Sequence, residues 1–121
     1  MTIEQCYEAM GGSYEEVSAR LPSARLVEKF IRKFLVDDSY DVLCREMAAG
    51  NCQDAFRAAH TLKGVCANLG FGKLLESASR LTELLRHAQD TIPPEAPGAM
   101  EQVRLDYRLT ADTIRAYLNE E

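Results

Sequence analysis

No stretch of the 121-residue chain approaches the ~20 consecutive apolar residues that a membrane-spanning helix needs. The N-terminus, MTIEQCYEAM, has no basic segment followed by an apolar run, so no secretory leader is read there and the expected location is cytoplasmic. Prolines number four and glycines seven, without a low-complexity tract, which argues against a collagen-like or disordered chain. Basic side chains are the minority, 14 against 19 acidic, for a net charge of −5. That balance argues against a nucleic-acid grip and for a protein or metabolite partner. Cys6, Cys44, Cys52 and Cys66 contain no Cys-x-x-Cys pair and are expected as reduced thiols without an assigned role. Gly11-Gly12 lacks the strand, the lysine and the spacing of a phosphate-binding loop, so self-phosphorylation from ATP is not expected. Sustained apolar/polar alternation bounded by hairpin turns is missing too, and the sheet classes lose their support.

What is present suits one helical domain. With 46% hydrophobic residues, a chain of this size can bury about two-thirds of its unfolded surface. It is too short to hold a nucleotide-binding kinase core as well as its substrate segment. Thr2 to Met10 and Ser13 to Leu21 read as two short helices split by Gly11-Gly12, with a capping box at Ser13 to Glu16. Ser23 to Ala49 reads as one long helix ended by Gly50, a simpler reading than a break at Asp37-Asp38-Ser39, its stripe formed by Leu26, Phe30, Lys33, Val36, Tyr40, Leu43 and Met47. A second runs from an Asn51 N-cap to Gly70, and a third from Lys73 to Ala88 with Leu74, Ala78, Leu81 and Leu85 on one face. Residues 90 to 98 hold three prolines and form a connection. The last helix carries Met100, Val103, Tyr107, Ala111, Ile114 and Leu118. The expected fold is all-α, an antiparallel four-helix bundle with short N-terminal helices: one domain over residues 1–121, bundle core about 23–118, motif helices about 51–88. Met1 and the polar end, Leu118 to Glu121, favour a whole short protein.

The helix between Asn51 and Gly70 breaks the usual pattern. At about 100° per residue, Ala55, Ala58, Ala59, Val65, Cys66 and Leu69 cluster around Leu62 as the core stripe. Opposite them stand Arg57, His60, Gly64 and Ala67, with Phe56 and Lys63 on the shoulder. A mid-helix glycine costs about 1 kcal/mol relative to alanine, so Gly64 calls for an offsetting use. Clearance for a second protein that must approach His60 is such a use, and Ala67 extends the cleared track. Lys63, one turn along, supplies a flexible cation for an anion carried on the imidazole.

His60-Thr61-Leu62-Lys63-Gly64, with Ala59 before it and Leu69-Gly70 after it, resembles the signature of histidine-containing phosphotransfer (HPt) domains. Leu75-Glu76 and Leu81 fit that family's second motif helix, and the strong part of the resemblance covers about residues 54 to 86. The resemblance implies a four-helix bundle whose exposed imidazole accepts a phosphoryl group from the aspartate of one receiver domain and passes it to another. His60 is then the phosphoacceptor, Lys63 the phosphate-stabilising cation and Gly64 the docking clearance. The chain is then a carrier with no cofactor of its own, Mg²⁺ being expected on the partner receiver. Histidine is nucleophilic when neutral, and transfer depends mainly on positioning and charge neutralisation.

Docking is expected around Phe56, Arg57, Ala67, Asn68 and Phe71, with Arg57, Lys63, Lys73 and Arg80 making this end basic enough for an acidic partner surface. Counting back from a turn at Gly70 puts residues 79 to 83 beside His60, so Ser79, Thr82 or Glu83 is the candidate acceptor for the Nδ1 proton. His87 reads as an ordinary surface residue, and neither it nor His60 has the companions a metal needs. Partners would be receiver domains of response regulators or hybrid histidine kinases, bound by a monomer. Two alternatives remain: the phosphoacceptor module of a chemotaxis-type histidine kinase, and a helical adaptor that binds receivers without chemistry.

Overall fold

In the computed structural model residues 1–119 are described; Glu120 and Glu121, the tip of the polar end, lie outside the described residues. Among the described residues seven helices follow one another: α1 (Ile3–Ala9), α2 (Tyr14–Arg20), α3 (Ala24–Val36), α4 (Ser39–Ala49), α5 (Cys52–Leu69), α6 (Gly72–Arg86) and α7 (Ala96–Asn119). Among the described residues there is no strand, and no helix is long and apolar enough to cross a membrane.

The expected single helix from Ser23 to Ala49 is two. Asp37 leaves the helical region at φ −67 and ψ 137, and its Oδ2 accepts from the Ser39 N–H at 3.0 Å. A short carboxylate thus takes up a backbone donor that a continuing helix would have used, which breaks it at Asp37-Asp38. The break resets the phase of the buried stripe. In α3 the core residues are Val27, Ile31 and Phe34, whereas Leu26 and Phe30 are half-buried, Lys33 is exposed and Val36 is 83% exposed.

Capping also differs from expectation. The reciprocal capping box belongs to Thr2 and Gln5, while at α2 only the Ser13 hydroxyl side of one is made, accepting from Glu16 N–H at 3.2 Å. Asn51 caps nothing with its side chain; its Nδ2 donates to Glu46 Oε2 at 2.7 Å, and that bond, with a second from Arg45, holds the Glu46 carboxyl below its ordinary range. The proline-rich connection ends sooner than expected, because Pro97 sits in the first turn of α7, where a missing N–H removes no helical bond. Asp106, Thr110 and Tyr117 join Val103 and Ile114 on the buried face of α7, leaving Met100, Tyr107 and Leu118 half-buried. Lys73 Nζ lies 3.9 Å from Asp106 Oδ1, which also accepts from Gln102 Nε2 at 3.0 Å.

α5 packs chiefly between α4 and α6, and α6 against α7. The N-terminal segment closes the end where α5 turns into α6. Ser13 N–H donates to Gly70 O at 2.8 Å, Tyr7 Oη to Leu69 O at 2.8 Å, and Arg20 to Asn68 O at 3.3 Å and Ala67 O at 2.8 Å. The carbonyls that a helix leaves without partners at its C-terminus are therefore filled from residues 7 to 20. Gly70 makes the turn at φ 72. The approach is so close that a Cβ on Gly70 would lie 2.7 Å from Ser13 O, and one on Gly12 2.6 Å from Gly70 O.

Candidate functional site

α5 is apolar on one side and stripped on the other. Ala55, Ala58, Ala59, Leu62, Cys66 and Leu69 are buried as the periodicity requires, and Val65 is half-buried at the edge of the stripe. On the opposite side His60, Gly64 and Ala67 are exposed. Among the described residues a Cβ added to Gly64 would meet nothing within 4 Å, so no packing there requires that glycine. Lys63 is half-buried and forms no ion pair among the described residues, which leaves its cation available to an incoming anion. Arg57 faces out with them, tied to Asp54 by a 2.7 Å bond, an exposed pair worth little to stability.

The imidazole of His60 has an aromatic neighbour on one side only. Side chains on a helix lean towards its N-terminus, so His60 lies towards the residue four earlier. That residue is Phe56, whose ring centroid is 6.0 Å away with 21° between the planes. Arg86, in the last turn of α6, sets its guanidinium 5.1 Å from the centroid of the same phenyl ring and donates from Nε to Glu83 at 3.1 Å. Towards the C-terminus of α5 the track is open.

Other expected residues fall elsewhere. Phe71 was expected on the docking surface but is wholly buried: it precedes α6, and its ring packs 4.9 Å from that of Phe34 and 5.8 Å from that of Tyr7. Gly70's left-handed turn directs it into the core, where burying a phenyl contributes about 1.5 to 3 kcal/mol. Lys73, expected to add charge near His60, instead backs onto Gly11 and pairs with Asp106. Ala67 and Asn68 are exposed, but both of their carbonyls are taken by Arg20, a residue not expected at this face. Among the described residues the His60 ring makes no hydrogen bond. Of the three candidate acceptors, Thr82 is buried and gives its hydroxyl proton to Ala78 O at 2.7 Å, Glu83 is exposed and engaged by Arg86, and Ser79 is half-buried.

Two clefts flank α5 on its α3 and α4 side. One, of about 390 Å³, is walled by Leu21, Phe30, Phe34, Val65 and Leu69, with Arg20, Lys33, Asp37 and Asn68 at its rim. The other, also about 390 Å³, is more polar and includes Asp54, Arg57 and Thr61 from α5. Burial pushes the Cys66 thiol, on the inner side of the same helix, up to about 12, with the charge of Asp37 adding to the shift. That thiol stays protonated and is no nucleophile for this site. Among the described residues no group of His, Cys, Asp and Glu is arranged to hold a metal ion.

Chemically, the arrangement is an exposed imidazole with a cation one turn along and an open side towards Gly64, with no hydrogen bond from the ring to a carboxylate among the described residues. Arg86 is the residue that sequence reasoning missed at this site. The counting about Gly70 that placed residues 79 to 83 opposite His60 also places 86 opposite Phe56. A model of the Hpt domain family matches residues 25–116 of the chain. No curated protein and no solved structure matches it.

Proposed function

Because this chain belongs to the Hpt domain family, whose members are phosphocarrier modules that meet receiver domains in phosphorelays, we propose that His60 is the residue that carries its phosphoryl group. The observation that supports this most directly is the cleared face of α5: an exposed His60 followed by a Gly64 that no contact among the described residues requires.

In the forward step a nitrogen of the neutral imidazole attacks the phosphorus of a receiver's aspartyl phosphate. The N–P bond forms as the P–O bond to the carboxylate breaks, and the aspartate leaves with the electron pair. The ring stays cationic until it gives up its other proton or passes the phosphoryl group on. Such a transition state needs attacking and leaving atoms nearly in line and its equatorial charge neutralised. Lys63 supplies one cation, Mg²⁺ held by the receiver supplies more, and Gly64 lets the receiver come close enough for the atoms to align. We read the scaffold as one domain over residues 1–121, the antiparallel four-helix bundle of the sequence reading with its first helix split into α3 and α4. It acts as a monomer in the cytoplasm, where its receivers are.

The test is transfer from a panel of acetyl-phosphate-charged receiver domains, with acid-lability and mass mapping of the product. The expected result is an acid-labile phosphate on His60 that is absent in His60→Gln. Receivers that bind the folded chain without transferring to it would replace this reading with the adaptor. Labelling only by an ATP-charged kinase domain would replace it with the kinase module.

A further inference from the structure

We infer that Phe56, steadied by Arg86, is a positioning residue for His60, holding the imidazole in the direction from which it attacks. This rests on the phosphoacceptor reading of His60 and adds to it a function for two residues that the phosphoryl group need not touch.

An exposed histidine in mid-helix has several rotamers open to it, and each unproductive one lowers the fraction of encounters that reach an in-line geometry. Here the two sides of the ring are unlike. On the N-terminal side stands the phenyl ring of Phe56, near-parallel to the imidazole at 6.0 Å and 21°, an offset arrangement of the kind aromatic pairs favour. On the C-terminal side stands Gly64, with nothing within 4 Å of where its Cβ would be. One side is a wall and the other is the entrance.

A wall must itself be fixed. Phe56 is only half-buried, so core packing alone does not hold it. The guanidinium of Arg86 covers its ring at 5.1 Å, and Glu83 holds that guanidinium through a 3.1 Å bond from Nε. Residues from the last turns of α6 thus reach back to the first half of α5, which the short turn at Gly70 and Phe71 makes possible. An exposed cation–π contact is too weak to matter for folding but strong enough to bias a ring between rotamers. The ordering runs from Glu83 to Arg86 to Phe56 to His60.

Phe56 also adjoins the surface a receiver would cover, so the experiment separates holding the ring from holding the partner. Single-turnover transfer from a charged receiver is followed over a range of receiver concentrations for the full chain and for Phe56→Leu, Phe56→Tyr and Arg86→Gln, each checked for helicity. In parallel, side-chain couplings and ring signals of His60 are recorded by NMR in the unphosphorylated proteins. Phe56→Leu is expected to lower the maximal transfer rate about tenfold, whatever it does to the half-saturating concentration, and to move the His60 couplings towards rotamer averaging. Phe56→Tyr should restore both, and Arg86→Gln should fall between. An unchanged maximal rate, a change confined to the half-saturating concentration, or unaltered couplings in Phe56→Leu would overturn the inference. If the wild-type chain accepts phosphoryl from no receiver, the phosphoacceptor reading fails by itself. The NMR couplings then still decide whether Phe56 orders the ring.

Discussion

Gly64 and Gly70 lie six residues apart in the chain, one within α5 and one just past its end, and they are glycines for opposite reasons. Around Gly70 the backbone of another segment is so close that a Cβ would sit 2.7 Å from Ser13 O, and φ is 72. Around Gly64 there is open space. The first is required by contacts the chain makes with itself, and its replacement harms folding. The second is required by no contact among the described residues, and on the proposed function its replacement harms only an encounter. A glycine that weakens a helix without serving its packing is, on the proposed function, where another surface comes in.

Substitutions within α5 and at its C-terminal end would break this contrast if it is wrong. The largest effect is expected for Gly70→Ala, which combines a left-handed backbone with a clash against Ser13 O and should lower stability by about 2 to 4 kcal/mol in chemical denaturation. Next comes Tyr7→Phe, which removes the hydroxyl from Leu69 O and leaves a buried carbonyl without its donor, a loss of about 1 to 2 kcal/mol. Gly64→Ala has the opposite sign: stability should rise by about 1 kcal/mol, while affinity for a charged receiver, read by titration calorimetry, falls. A stabilised variant with full receiver affinity would remove the clearance role. The smallest effect concerns the inner side of the same helix. Because the Cys66 thiol is pushed up to about 12 in the fold, its contribution is fully present below its ordinary 9.0 and is lost as pH rises through about 12. Urea midpoints at pH 7.5 and 10 should therefore drop less in Cys66→Ala than in the wild type.

The sequence made some of this architecture legible and hid the rest for identifiable reasons. Both ends of α5 could be placed, because Gly50-Asn51 and Gly70 punctuate a stripe without internal ambiguity. The break at Asp37-Asp38 was signalled only by the short polar run Asp37-Asp38-Ser39, with no glycine or proline to decide for it against one long helix; it depends on one carboxylate turning back to the Ser39 N–H, a choice that helical periodicity does not encode. Missing it shifted the expected buried face of α3 by one residue. At the site, the outward set His60, Gly64 and Ala67 follows from helical geometry alone. Phe71 did not, since its direction is set by the turn before it rather than by any helix. Arg86 was hidden because its contact with Phe56 spans two helices.

Residues 1 to 24 lie before the stretch that the family model matches. Within them Tyr7, Met10 and Val17 are almost wholly buried, and Tyr7, Ser13 and Arg20 fill the last carbonyls of the histidine helix. A chimera that borrowed only the matched portion would carry an α5 with an unsealed C-terminal end, at the exposed Ala67 and Asn68. The unit to transplant is larger than the unit that sequence comparison recognises, and chimeras should be cut ahead of Thr2 rather than at residue 25.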